Sequence, residues 1–379
     1  MPEMAAATGP RSLDELRESF VHWCQTEIAP YHAEWEARRA VPRELWTKAG
    51  ERGYLCMTVD AKYGGHGRDF RHSSVIIEEL GRCGASGVTF PLHSDVVAPY
   101  IDTYGTEQQK GRWLPRMAKG EVIGAVALTE PEGGSDLQAV RTTATLHDGD
   151  WVIDGEKTYI SNGLCHDLAV VLCRTSAPAE PPELSLIVVE RDAEGYTREA
   201  LSDKMGCHAL DTAVLRFAQC RVPASNLLGT RGAGLLQVMS RLAHERMVIA
   251  VSCLARAKAV HRLSVAYAKR RRTFGRPLFD AQAIRFGLAE LATEVSISEA
   301  YVERCISRMP HGLDIVEASK AKYWTSEMLG RVADLAVQIH GAAGYMAGSE
   351  AARAYVDARV QRIFGGTSEM LKEMIGRSL

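Results

Sequence analysis

A chain of 379 residues, 46% hydrophobic and 24% charged, has the composition of an ordinary globular protein and can bury a core large enough for two or three domains. Its formal net charge of -2 gives no electrostatic reason to expect nucleic acid or an anionic membrane surface as partner. Nine cysteines, an odd number without CxxC pairs, argue for reduced thiols and against a zinc site or a disulfide framework.

The opening stretch MPEMAAATGPRSLDELRESF lacks an apolar signal core, and no run approaches 18 apolar residues, so a cytoplasmic location without a membrane span is expected. Residues 11–120 read as helical. Ser12 followed by Glu15 fits a capping box, and Leu13, Leu16, Phe20 and Trp23 recur at helical spacing, with a break expected at Pro30. Pro42 opens a helix through Lys48, Tyr63-Gly64-Gly65-His66-Gly67 is a turn, and helix resumes over 73–80, 93–104 and 107–117.

From Val122 the period shortens. Strands are expected at 123–129, 151–153, 158–161, 168–174, 184–190 and 214–217, with Asp148-Gly149 and Asp154-Gly155 as hairpin turns. Such a series suggests a compact antiparallel barrel or sandwich, closed off by Pro223 and the glycines at 229–234. Four long helices follow, at 235–272, 281–308, 312–339 and 350–363, which implies a bundle. The expected organisation is α+β, divided into helices over 1–121, a β-domain over 122–232 and a bundle over 233–379.

The first bundle helix carries an anomaly. Leu235, Val238, Leu242, Ile249 and Cys253 define one apolar stripe, and Glu245 lies on it. A carboxylate facing a core is costly unless it is paired, protonated or used. Arg246 points about 100° away around the helix, so it is not automatically the partner. A buried ion pair with a distant base is the competing explanation. The run Lys269–Arg272 reads at first as a solvated helix end.

Several short motifs combine glycines, which let backbone approach a ligand, with hydroxyls and helix-end polar groups suited to phosphates or a polar ring edge. TEPEGGSD (129–136), YISNG (159–163), RRTFG (271–275), QIHGAAG (338–344) and GGTSEM (365–370) stand in this order along the chain. In sequence and order they resemble the acyl-CoA dehydrogenase family over nearly the whole chain. The resemblance implies an N-terminal helical domain, a central β-barrel and a C-terminal four-helix bundle. It further implies FAD between barrel and bundle, and a homotetramer built as a dimer of dimers.

By the same resemblance, Leu128 and Thr129 would meet the flavin ring, with Tyr159 and Ser161 beside it and the Ser161 hydroxyl at the reactive nitrogen. Arg271, Thr273, Phe274, Gln282 and the 338–342 turn, with Gln338, Gly341 and Ala342, would grip pyrophosphate and adenosine, partly from a neighbouring subunit. Thr367 and Glu369 would complete the cofactor set. Ser135, at the end of the glycine pair, would serve cofactor and substrate, and Arg246, Gly365 and Arg377 match substrate-side positions.

Most of the family carries its catalytic Glu immediately before the Gly-Thr of the last motif, where this chain has Gly365. A smaller set, resembling long-chain and isovaleryl-CoA dehydrogenases, supplies the Glu from the first bundle helix, and Glu245 matches that place. The implied reaction is FAD-dependent α,β-dehydrogenation of an acyl-CoA, with Glu245 taking the α-proton, the β-hydride passing to the flavin, and an electron-transferring flavoprotein as acceptor. His93 and His340 read as packing or polar-network residues, and Cys207 and Cys253 as inert core or near-pocket thiols. The loop 204–212 departs from the family pattern at His208 and Leu210, which keeps an acyl-carrier-protein substrate as an alternative. A flavin N-monooxygenase on the same fold, or a helical scaffold without flavin, are more distant readings.

Overall fold

In a computed structural model, residues 12–177 and 180–379 are described; the stretch weighed for a signal core lies, up to residue 11, outside them. Helix α1 (Leu13–Trp23) begins at Ser12, whose hydroxyl accepts from the Glu15 amide while the Glu15 carboxylate accepts from the Ser12 amide. It buries Leu16, Phe20 and Trp23. A π-helical turn, Cys24–Ile28, leads to a break before α2 (His32–Arg38). Helices α3 (Glu44–Glu51), α4 (Phe70–Arg82), α5 (Ala98–Tyr104) and α6 (Glu107–Ala118) complete this part. The helix expected over 93–104 is split: Leu92–Val97 is π-helical, and only α5 is regular.

The strands are β1 (Gly124–Ala127), β2 (Thr143–His147), β3 (Asp150–Ser161), β4 (Leu168–Arg174), β5 (Leu184–Glu190), β6 (Tyr196–Ala200), β7 (Thr212–Pro223) and β8 (Leu227–Leu228). Among the described residues they form one sheet in the order β6-β7-β3-β2-β4-β5-β8, with β1 added on β4. Pairing is antiparallel except that β1 and β2 run parallel to β4. The Asp154-Gly155 hairpin is a misreading. β3 passes through this point without reversing: Gly155, at φ +145°, lies so close to Thr142 that a Cβ would sit 2.6 Å from its hydroxyl. β2 and β6 are largely exposed and polar, so hydrophobic alternation had nothing to register there.

β4 and β5 are buried on both faces, and the period of two divides their side chains between two cores. Leu168, Val170, Leu172, Leu186 and Val188 pack with the N-terminal helices, whereas Ala169, Val171, Cys173, Ile187 and Val189 pack inside the sheet. This welds the β-layer to α1–α6.

The bundle contains α7 (Gly234–Arg270), a small hairpin β9 (Arg272–Thr273) and β10 (Arg276–Pro277), then α8 (Gln282–Arg308), α9 (Ile315–His340), α10 (Ala342–Tyr345), α11 (Glu350–Arg359) and α12 (Ser368–Gly376). α7 runs through its centre. Val238 joins the N-terminal core, while Met247, Val251 and Leu254 pack in the bundle with Met328, Leu329 and Val332 of α9. No helix among the described residues is long and apolar enough to cross a membrane.

Candidate active site

α7 changes character at Glu245. Upstream, Leu235 and Leu242 are half-buried; from Arg246 to Val248 and from Cys253 to Ala257 the helix is buried on every side. Glu245 is therefore held where the helix enters the core. Burial pushes its carboxyl above the ordinary carboxylate range, against the opposing pull of the Tyr100 hydroxyl and of the Arg241 and Arg246 charges. Tyr100, on α5, donates to Glu245 Oε1 at 2.8 Å. Oε2 has no hydrogen-bond partner among the described residues, which leaves it available to a substrate.

Gly365 meets α7 one helical turn further on. Its φ is +62°, and a Cβ built on it would lie 2.3 Å from Ile249 Cδ1. Arg246 is buried and forms no ion pair with Glu245. Its Nη1 donates to Ser319 Oγ at 2.7 Å and meets Met374 Sδ at 3.1 Å, and its Nε has no partner. Lys322 of α9, which carries no mark in the sequence to set it apart from a solvated helical lysine, is fully buried and donates to the Gly366 carbonyl at 2.6 Å.

The β-layer supplies a second set. Leu128 and Thr129 follow β1, and their carbonyls accept from Lys157 Nζ (3.2 Å) and the Thr158 amide (2.9 Å). Lys157 also donates to Glu130 Oε1 at 2.8 Å, both groups being buried. The other contacts of Glu130 are the amides of Arg141 and Thr142, so its carboxylate ties down both ends of the loop holding Gly133, Gly134 and the exposed Ser135. Burial would raise the Glu130 pKa, but Lys157 and these donors outweigh it and hold the carboxyl below its usual range. Tyr159 lies at a bulge of β3 with φ +58° and is 71% exposed, and Ser161 follows two residues on. A non-glycine residue kept in this strained conformation with an exposed ring is a feature of ligand-facing sites. Asn162 closes the strand by donating to the Gly124 carbonyl at 3.0 Å. An exposed ring, a hydroxyl and two fixed main-chain segments suit a planar, polar-edged ring such as a flavin.

The remaining predicted cofactor positions lie elsewhere. Arg271, Thr273, Gln282, Gln338, Gly341 and Ala342 are exposed at the far end of the bundle, with Phe274 fully exposed at φ +48°. Tyr267 joins the ends of α7 and α9 there by stacking on His340 with ring centroids 4.0 Å apart. Arg271 follows Glu245 by 26 residues, about 39 Å of helix. Arg271 and Glu245 thus stand at opposite ends of this length of α7. Thr367 caps α12, with its hydroxyl accepting from the Met370 amide at 3.3 Å. Glu369 is exposed, and Arg377 pairs with Glu373 one turn away at 2.5 Å; neither has a contact with Glu245.

The packing residues behave as such. His93 accepts from the Gly124 amide and donates to the Met117 carbonyl, and burial lowers its pKa to about 4. His340 is engaged by Ala336 O and Tyr267. Burial pushes the Cys207 and Cys253 thiols up to about 12. The divergent loop at 204–212 is clamped between elements: the Cys207 amide donates to Asp357 of α11 and the Ala209 amide to Glu36 of α2.

Three family models match in chain order: acyl-CoA dehydrogenase N-terminal domain over residues 11–121, middle domain over 125–220 and C-terminal domain over 232–379. A mitochondrial long-chain specific acyl-CoA dehydrogenase of Rattus norvegicus is 42% identical over 369 residues, covering 97% of this chain and 86% of the relative. The crystal structure of an acyl-CoA dehydrogenase from Geobacillus kaustophilus superposes with a TM-score of 0.95 at 44% identity, covering 99% of each chain. An acyl-CoA dehydrogenase complexed with FAD, from Bacillus anthracis, gives 0.91 at 30% identity, covering 97% of this chain and 66% of that one.

Proposed function

The chain belongs to the acyl-CoA dehydrogenase family, and on that premise we propose that it oxidises an acyl thioester at Cα–Cβ with Glu245 as the base. FAD-dependent dehydrogenation of acyl-CoA is the activity of that family. The observation that carries the assignment of the base is the meeting of Glu245, Ile249 and Gly365. The two places from which the family supplies its carboxylate adjoin here, and a side chain at the one before Gly-Thr would need Ile249 to shift, its Cδ1 lying 2.3 Å from a Cβ there.

Glu245 Oε2 takes the α-proton. Burial raises the affinity of the carboxylate for that proton, which suits it to a weakly acidic C–H, while the Tyr100 hydroxyl holds the other oxygen in place. The electron pair left on Cα forms the double bond as the β-hydride departs, giving the trans-2-enoyl thioester. FAD, when bound, supplies the two-electron acceptor for that hydride. Charge that gathers on the thioester oxygen is met by main-chain N–H groups of the turn at Gly365 and Gly366. Leu128, Thr129, Tyr159 and Ser161 hold the flavin ring from the β-layer.

Arg271 and Glu245 stand about 39 Å apart on α7, a separation that supports a phosphate grip on each FAD from a second subunit and, with it, a homotetramer. An electron-transferring flavoprotein takes the electrons onward. Acyl-CoA is favoured over a carrier-bound acyl group by the family and by the long-chain acyl-CoA dehydrogenase relative. The test is anaerobic mixing of the flavin-loaded protein with acyl-CoAs of graded length and with acyl-carrier-protein thioesters. Bleaching of the flavin by acyl-CoA without oxygen is expected. A reaction that needs oxygen and reduced nicotinamide would show a monooxygenase instead.

A further inference from the structure

The proton transfer to Glu245 uses neither of the two buried cations at the Gly365–Gly366 turn. Lys322 has no exposed surface, and its one hydrogen bond is to the Gly366 carbonyl at 2.6 Å. Arg246 reaches the same turn from α7: a Cβ on Gly366 would lie 3.7 Å from its Nη2. Among the described residues neither cation makes an ion pair: Glu327 is engaged by Arg362 and Ser368, and Glu369 is exposed on α12. The groups that face Lys322 are Arg246 and Cys253 from α7, Glu327 from its own helix and Glu369 from α12.

A buried charge without a counter-ion costs several kcal/mol in order of magnitude. A single hydrogen bond to a carbonyl does not explain keeping it, because a neutral donor could anchor the turn as well. The turn itself needs an anchor, since Gly365 and Gly366 both have left-handed φ values, +62° and +93°. It adjoins Ile249 and so stands one helical turn from the carboxylate of Glu245. Negative charge develops there, on the thioester oxygen, if the dehydrogenase reading above holds, and the inference rests on that reading.

We propose that Lys322 is a positioning residue for the dehydrogenation: it fixes the Gly365–Gly366 turn and, with Arg246, holds positive potential behind it for the thioester oxygen. The two parts of this role separate with pH. Burial lowers the pKa of Lys322 to about 8. Above that value the neutral amine still donates to the Gly366 carbonyl, but the charge is gone.

The experiment uses the FAD-loaded Glu245→Gln protein, which binds substrate without turning it over, and an acyl-CoA carrying ¹³C at the thioester carbonyl. Isotope-edited infrared spectra report the polarisation of that carbonyl directly. Its stretch is expected at lower frequency than in solution near neutral pH and to move back toward the solution value as the pH rises through about 8. Lys322→Met in the same background should reduce the shift and remove its pH step, and Lys322→Arg should restore the shift without the pH step. With Glu245 intact, Lys322→Met should lose at least about tenfold in kcat with KM nearly unchanged. A carbonyl shift that is equal with and without Lys322, or that ignores pH in the Glu245→Gln protein, overturns the proposal. Should Lys322→Met fail to fold, the pH titration and Lys322→Arg decide alone. Wild-type protein that does not bleach with acyl-CoA fails the dehydrogenase reading; bleaching with a carbonyl indifferent to Lys322 fails only this one.

Discussion

Glu245 and Gly365 face each other across Ile249. The carboxylate stands one turn before Ile249 on α7, and the glycine lies so close beyond it that a Cβ would come within 2.3 Å of Ile249 Cδ1. Moving the base to the other position therefore requires more than an exchange of residues. Glu245→Gly with Gly365→Glu should remain inactive in stopped-flow flavin reduction. Adding Ile249→Ala should recover a measurable rate. Recovery without the third change would show that the turn yields freely. Gly365→Ala alone should destabilise the fold by about 1–3 kcal/mol in denaturant melts, through both the clash and the positive φ.

Removing the carboxylate separates function from stability. Glu245→Gln should lose about three or more decades of flavin reduction rate while retaining FAD. Since folding raises the pKa of Glu245, its contribution to stability is complete below the ordinary carboxylate pKa and is lost as pH rises through the folded value. At neutral pH the glutamine should melt higher than wild type, by about 2 °C or more, with Tyr100 still able to donate to the amide oxygen. The gap in melting temperature should close in acid. An unchanged reduction rate would remove Glu245 as the base.

Tyr100→Phe tests the hydroxyl alone. Its hydrogen bond favours the ionised carboxylate, and reaction requires that form, so activity falls as pH drops through the raised pKa. Loss of a bond worth about 1.4 kcal/mol should move that acid limb up by about one pH unit. On that acid limb kcat/KM should drop by about tenfold, and above it the variant should approach wild type. A uniform loss at all pH values would point to misplacement of substrate instead.

The Lys157–Glu130 pair should matter both to the fold and to the cofactor. Lys157→Met leaves a buried carboxylate facing no cation and should cost about 3 kcal/mol or more in thermal or denaturant melts. It also releases the Leu128 carbonyl, so the ratio of bound FAD to protein should fall. Adding Glu130→Gln should recover part of the stability. Full FAD occupancy in the single variant would separate this pair from the flavin face.

Much of the architecture was legible in the chain because strong periodicities and caps coincide. The Ser12–Glu15 box, the turn at Tyr63 and the limits of β4, β5 and α7 all follow from local chemistry. What escaped had no local signature. β2 and β6 are too polar for alternation to reveal, and Gly155 marks a close approach to Thr142 where the sequence suggested a reversal. Glu245 was visible as a carboxylate on an apolar stripe, but its Tyr100 partner comes from 145 residues away. Lys322 was invisible because a lysine in a helix reads as solvated; only the packing of α7, α9 and the turn at Gly366 makes it a buried cation.

The 37 residues of α7 also bear on inheritance. In the proposed assembly each reaction centre is assembled from two gene products, its base from one and its phosphate grip from another. Two alleles, one carrying Glu245→Gln and the other Arg271→Ala, would then each encode an inactive enzyme. Co-expressed, they would form mixed assemblies in which some centres draw both intact residues, and activity would return without recombination. By the same logic an Arg271→Ala copy beside a healthy one would weaken a centre whose base belongs to its neighbour.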